Sequence, residues 1–279
     1  PYFSRARGLS SGLQSAEGRA WSTAHRIQYA NWSGRFQDAL ILNEELRKLN
    51  LEIRSPYFDI FQHFTQGLIL CALGRTEEAE QSLRNGLKRV EQGDDTFWRP
   101  RFLNSLGWVY AEEGDYEKAL RLNMESLKGA LDSGDPETIH NARINLGENH
   151  LALGNLTEAR DILEKTWEEV KTPGVFYSKW RYKTRLFLAL AELYTGMGER
   201  KKGFAFLRKA LDLAERNGAR RHQARALLLK GRFLRKTRPA EGRKCLERAL
   251  RLSEEMGTIR LSHRIRKEIT RLDSQGAGA

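Results

Sequence analysis

The residues with the clearest capacity for recognition chemistry are cationic. Lys179, Arg181, Lys183, Arg185, Arg221, Arg225, Arg232, Arg235, Lys236, Arg260, Arg264 and Lys267 fall in the last third of the chain, with Phe176, Tyr177, Trp180 and Tyr182 close in sequence. Guanidinium groups bind phosphate and carboxylate, and flat rings stack on bases. The mix fits three kinds of surface: one for nucleic acid, one for an acidic protein drawn in by steering, and an ordinary solvated face. Residues 1–170 carry 20 Lys+Arg and 26 Asp+Glu, a balance of −6, whereas residues 171–279 carry 28 and 10, a balance of +18. The basic chemistry is therefore regional, inside an overall net charge of +12.

Bond-making chemistry has no comparable signature. The chain contains no GxxxxGK[ST] phosphate loop, no HExxH and no GxSxG. Its six histidines are scattered, and His63 and His150 fit packed or half-exposed imidazoles better than metal ligands. The acidic runs Glu77-Glu78, Asp94-Asp95 and Glu112-Glu113 sit at helix starts and turns, where solvent or a helix dipole accounts for them. No enzyme, metal site or cofactor is expected. Cys71 and Cys245 lie far apart in a stack of repeats, so they are expected as two buried thiols in a reducing cytoplasm. There is no run of apolar residues long enough to span a membrane and no signal peptide. The first residue, Pro1, suggests a processed product or an excised fragment.

What positions the cationic residues is a repeat. Small residues recur at Ala39, Ala79, Ala119, Ala159, Gly203 and Gly242, the first four 40 residues apart and the next steps 44 and 39. Five residues before each of the first five stands a glycine: Gly34, Gly74, Gly114, Gly154 and Gly198. A fixed period of this size signals stacked helix pairs. In the clearest copy, Leu103, Leu106, Gly107 and Tyr110 give one apolar helix face, Gly114 suits a helix C-cap, and Asp115 can cap the next helix, which carries Ala119, Leu120 and Leu127. Gly107 and Ala119 are read as the small residues of a close helix crossing. Pro239 stands at a helix start, where proline is tolerated.

Leu106-Gly107, Tyr110, Gly114-Asp115-Tyr116 and Ala119-Leu120, with trailing pairs Ala210-Leu211 and Ala249-Leu250, resemble the tetratricopeptide repeat family over about residues 19–257. The period of 40 is longer than the family's usual length of about 34. The longer copies resemble the sensor arrays of large bacterial regulators, such as that of the maltose-regulon activator, and also occur in eukaryotic scaffolds. The resemblance implies an all-α, right-handed superhelix of six helix pairs, about residues 19–56, 57–96, 97–136, 137–175, 176–218 and 219–257. A capping helix over 258–273 and a loose tail over 274–279 follow, and residues 1–18 are a leading segment or linker. It also implies a concave groove lined by first helices, with Arg101, Asn104, Trp108, Asn141, Asn145 and Glu148 at its binding positions. Asparagine can pair with an extended peptide backbone, Arg101 can take a carboxylate, and Trp108 offers an apolar platform. The expected function is non-catalytic: a ligand-sensing or protein-binding module of a larger bacterial regulator that takes a peptide, a protein (an acidic one among the expectations) or a small ligand in its groove, or meets neighbouring domains, with no membrane. The alternative is a nucleic-acid-binding solenoid using Lys179, Arg181, Arg185, Arg221, Arg225, Arg232, Arg235, Arg260 and Arg264. Thr172-Pro173-Gly174, in the 44-residue step, reads either as a hinge between subarrays or as the lead-in to a longer first helix.

Overall fold

The computed structural model describes residues 15–93, 95–171 and 179–276. The proposed hinge at 172–177 and most of the leading segment lie outside them. The described residues form thirteen α-helices and no strand. They pair as α1 (Ala16–Trp32) with α2 (Phe36–Ile53), α3 (Pro56–Leu73) with α4 (Thr76–Gln92), and α5 (Trp98–Glu113) with α6 (Tyr116–Asp132). Then follow α7 (Pro136–Leu153) with α8 (Leu156–Lys171), α9 (Lys179–Gly196) with α10 (Arg200–Arg216), and α11 (Arg220–Leu234) with α12 (Pro239–Glu255). Helix α13 (Ile259–Gly276) closes the stack. The first helix thus begins a few residues before the expected boundary at 19, and α13 runs through part of the expected loose tail.

Local chemistry explains the punctuation. Gly114 ends α5 at φ 93°, in the left-handed region that only glycine enters cheaply, and its amide closes the helix on the Ala111 and Tyr110 carbonyls. Asp115 then accepts the Lys118 amide at 3.0 Å and starts α6. The four other turn glycines of the repeat also have positive φ. Pro56, Pro136 and Pro239 each open a helix, where no amide hydrogen is needed.

Packing within a pair corrects the expected crossing in part. A Cβ on Gly107 would lie 2.5 Å from Asn123 Oδ1, on Gly147 2.5 Å from Leu163, and on Gly231 2.6 Å from Leu246. The glycine of the first helix therefore receives a side chain one turn beyond the small residue of the second helix. Ala119 and Ala159 are nonetheless fully buried, and in the sixth pair a Cβ on Gly242 would lie 3.2 Å from the Gly231 carbonyl oxygen. Between repeats, the Tyr110 and Tyr194 hydroxyls bond to Glu80 and Glu164 on the second helices of the preceding pairs.

Helices pack mainly on their neighbours in the chain and in the adjacent repeat, as in a linear stack, but side chains also join distant repeats. The ends of the array meet. A Cβ on Gly34, in the first turn, would collide with Met256, and Gly257 packs against Leu73. The apolar core of the first three repeats includes Ala224 of α11 and Met256 after α12. Trp32 at the end of α1 meets Trp180 at the start of α9 edge to face, with ring centroids 6.1 Å apart. Apolar burial, not charge alone, holds this closure, because Met256 is 3% exposed.

Candidate groove site

All six first helices contribute to one central recess. A cavity of about 350 Å³ between α3, α5, α7, α9, α11 and α13 adjoins one of about 130 Å³ reached also by Asn31 and Trp32 of α1. The two share Trp108, Asn145, Glu148, Arg221 and Arg225, so they form a continuous groove.

Its floor is an amide network. Asn145 Nδ2 donates to Asn104 Oδ1 at 2.9 Å and to the Asn104 carbonyl at 3.3 Å, joining α7 to α5. Arg185 of α9 donates to Asn141 Oδ1 and Asn145 Oδ1, and to Glu148 at 2.7 Å. Arg225 of α11 reaches the other Glu148 oxygen at 2.8 Å. Burial alone would raise the Glu148 pKa, but these two guanidiniums pull it down to about 2. Glu148 is therefore ionised throughout the physiological range.

A second carboxylate stands one repeat earlier. Glu112, at the end of α5, takes Arg264 at 2.8 Å, Arg221 at 3.2 Å and the Trp108 indole N–H at 3.1 Å. Arg260 donates to the Glu112 carbonyl at 2.7 Å and to Thr76 Oγ1 at 2.9 Å. Burial opposes ionisation of Glu112, yet Arg264, Arg221, Arg225 and the indole together hold its pKa below the usual carboxylate value. The guanidinium of Arg221 also lies over the Trp108 ring, 4.5 Å from its centroid. Side chains of Arg221 and Glu112 keep 20% and 15% of their exposure because they look into the groove.

Of the residues assigned to the groove, Asn104, Trp108, Asn141, Asn145 and Glu148 line it. Arg101 does not. It pairs with Asp135 at 2.7 Å, donates to the Phe97 carbonyl at 2.7 Å and stacks on the Phe97 ring, so the chain's own Asp135 occupies it. Most of the basic residues share this groove. Arg181, Arg185, Arg221, Arg225, Arg232, Arg260 and Arg264 line the same recess and form its opposite wall. Lys179 and Arg235 lie outside it, and Arg235 pairs with Glu268 at 3.5 Å. Glu112 was assigned to solvent or a helix dipole from its place in an acidic run at a turn. It is instead the counter-ion of arginines more than 100 positions away, which no local signal encodes.

Sequence reading also passed over Asn149 and His222. Asn149 is 2% exposed, lines the larger cavity, and its Nδ2 has no hydrogen-bond partner. His222 lines the smaller cavity with Nδ1 unpartnered. Burial, then Arg225, Arg221, Arg185 and Arg181, push its pKa well below the ordinary histidine value, so the ring is neutral at pH 7. No three His, Cys, Asp or Glu side chains among the described residues are placed to hold a metal, and no described helix is long and apolar enough to cross a membrane.

The comparisons with known proteins agree with this architecture. NprR in complex with its cognate peptide NprX superposes with TM-score 0.66 at 13% identity, covering 98% of this chain and 77% of that one. The Rap conjugation gene regulator of plasmid pLS20, in complex with the Phr* peptide, gives 0.67 at 15% identity, covering 95% and 76%. A Rap protein complexed with Competence and Sporulation Factor gives 0.65 at 12% identity, covering 99% and 80%. At such identities the likeness is one of fold. No curated protein sequence matches the chain. Tetratricopeptide repeat models match residues 60–132, 140–165 and 184–217, and with the helix pairs, turn glycines and superhelical stack they make this chain a tetratricopeptide repeat protein.

Proposed function

We propose that the chain is the ligand-sensing module of a regulatory protein and captures a peptide in the central groove. The observation that carries this reading is the groove itself: a recess bounded by the first helices of all six repeats, with asparagines, an indole and paired charges converging on it. A site of this size and lining suits a small guest. The solved relatives hold peptides, as their descriptions state. Capture would act on the contacts between the N-terminal repeats and the arginine-bearing helices, and so on the curvature of the array. The reading is of an interaction module, not an enzyme.

Nucleic acid binding is the less favoured reading, because the arginines that would track a phosphate backbone line the inside of a confined recess and not a continuous outer face. A display selection of randomised peptides on the intact chain tests the proposal. Selected peptides should lose at least about tenfold in affinity, or about 1.4 kcal/mol, on Trp108→Ala and Asn141→Ala. Failure to select any peptide, together with steeply salt-dependent binding of single-stranded DNA or RNA, would reverse the order of the two readings.

A further inference from the structure

The peptide-capture reading leaves the chemistry of the guest open, and the charges of the recess narrow it. Seven arginines and three glutamates, Glu112, Glu148 and Glu192, line the two cavities, a surplus of four positive charges with His222 neutral. The surplus can be located. Among the described residues no carboxylate lies within ion-pairing distance of Arg181, which faces the rings of Trp32 and Tyr182 at 5.1 and 5.2 Å. Arg260 is likewise bonded only to neutral acceptors, the Glu112 carbonyl and the Thr76 hydroxyl. Unpaired guanidiniums in a confined recess raise the local potential for anions.

The recess therefore carries excess positive charge, and a guest that supplies negative charge complements it.

We propose that the guest is an extended acidic peptide whose carboxylates bind Arg181, Arg185, Arg221 and Arg225. This rests on the peptide-capture reading. Bidentate pairing suits arginine, and Arg185 is already oriented by Asn141 and Asn145, so little freedom is lost when a carboxylate arrives. The guest's carboxylates either join Glu148 at the Arg185 and Arg225 pair or displace it.

The composition of the peptides selected on the intact chain is the test. Asp and Glu should be enriched at least about twofold over the input library. The most enriched peptide should lose at least about tenfold in affinity when its acidic side chains are replaced by Asn and Gln. A C-terminal amide of the same peptide separates side-chain carboxylates from the terminal one. On the protein, Arg225→Gln should weaken binding about tenfold or more. Arg181→Gln removes no ion pair, so it tests the site without upsetting the fold and should weaken binding by at least about threefold. Arg208→Gln, on the exposed side of α10, should leave it unchanged. Selection of neutral or basic peptides that still require Trp108, or affinities indifferent to the Asn and Gln replacements, would overturn the acidic class while leaving peptide capture standing. No selected peptide at all would overturn both.

Discussion

Glu148 and its two arginines behave as one unit, because removing the carboxylate leaves Arg185 and Arg225 facing each other across a confined space. Glu148→Gln should therefore destabilise the chain by about 1–3 kcal/mol, toward the lower end of buried-pair losses because the groove admits solvent. Adding Arg225→Gln should restore part of that loss. Denaturant midpoints of the single and double variants measure the coupling. Protonation gives a second, separable signature. His63, His140 and His222 all have pKa values below the ordinary 6.5, in each case chiefly through burial. His222 faces Arg181 and Arg185 of α9, Arg221 and Arg225 of its own helix, and Glu148 of α7. Below pH 6.5 the unfolded chain binds protons that the folded chain does not, so the stability these rings contribute is present above 6.5 and lost as pH falls toward their folded values. Melting temperature should drop between pH 7 and 5.5, and His222→Gln should flatten that slope. The Glu148 contribution is present above 4.5 and lost only as pH falls toward about 2. An unchanged slope in the His222 variant would show that its ring is not buried as described. At this scale the sequence pointed to Asn104, Asn145 and Glu148, and the three do line the recess. It did not reveal which were already spoken for, because the partners of Arg101 and Glu112 depend on packing.

At the scale of the helix pair, the register of small residues makes a sharp demand. Ala119 and Ala159 are fully buried, each one turn before the residue that fills the facing glycine's space, Asn123 and Leu163. Ala119→Leu and Ala159→Leu should each cost about 1–3 kcal/mol through overpacking, read as lower denaturant midpoints with unchanged m-values. Unchanged midpoints for both would contradict the packing. The elements themselves were legible because the small-residue period and the turn glycine recur together through the first five copies. Turn glycines with positive φ, Asp115 at a cap and Pro239 at a helix start are all set by local chemistry. The partner of Gly107 was not legible. Ala119 and Asn123 lie on the same helix face, and only the crossing geometry decides which of them meets the glycine.

At the scale of the molecule, the question is whether the array behaves as a linear stack or as a closed one. In a linear stack, a change near the C-terminus is felt by the adjacent repeat alone. Here Arg260, at the start of α13, reaches back to Thr76 at the start of α4 and to the Glu112 carbonyl at the end of α5, and the turn glycine Gly74 packs against it. Met256 fills the space above Gly34 in the same closure. The 40-residue period announces the stack but not this meeting of its ends, because small rotations at each repeat add up to the closure and no single residue encodes their sum. Arg260→Ala tests it with the whole chain. The variant removes two hydrogen bonds to segments more than 140 positions away while leaving the helix pairs intact. Amide exchange at residues 73–79 and 110–115 should quicken by at least about threefold, since local opening there no longer works against the docked α13. Arg248→Ala is the comparison, because among the described residues Arg248 pairs only with Glu215 of the neighbouring α10. Its effect should stay within α10 and α12. If Arg260→Ala likewise alters exchange only in α12 and α13, the ends of the array are not coupled in solution, and ligand in the groove would have no closed state to act upon.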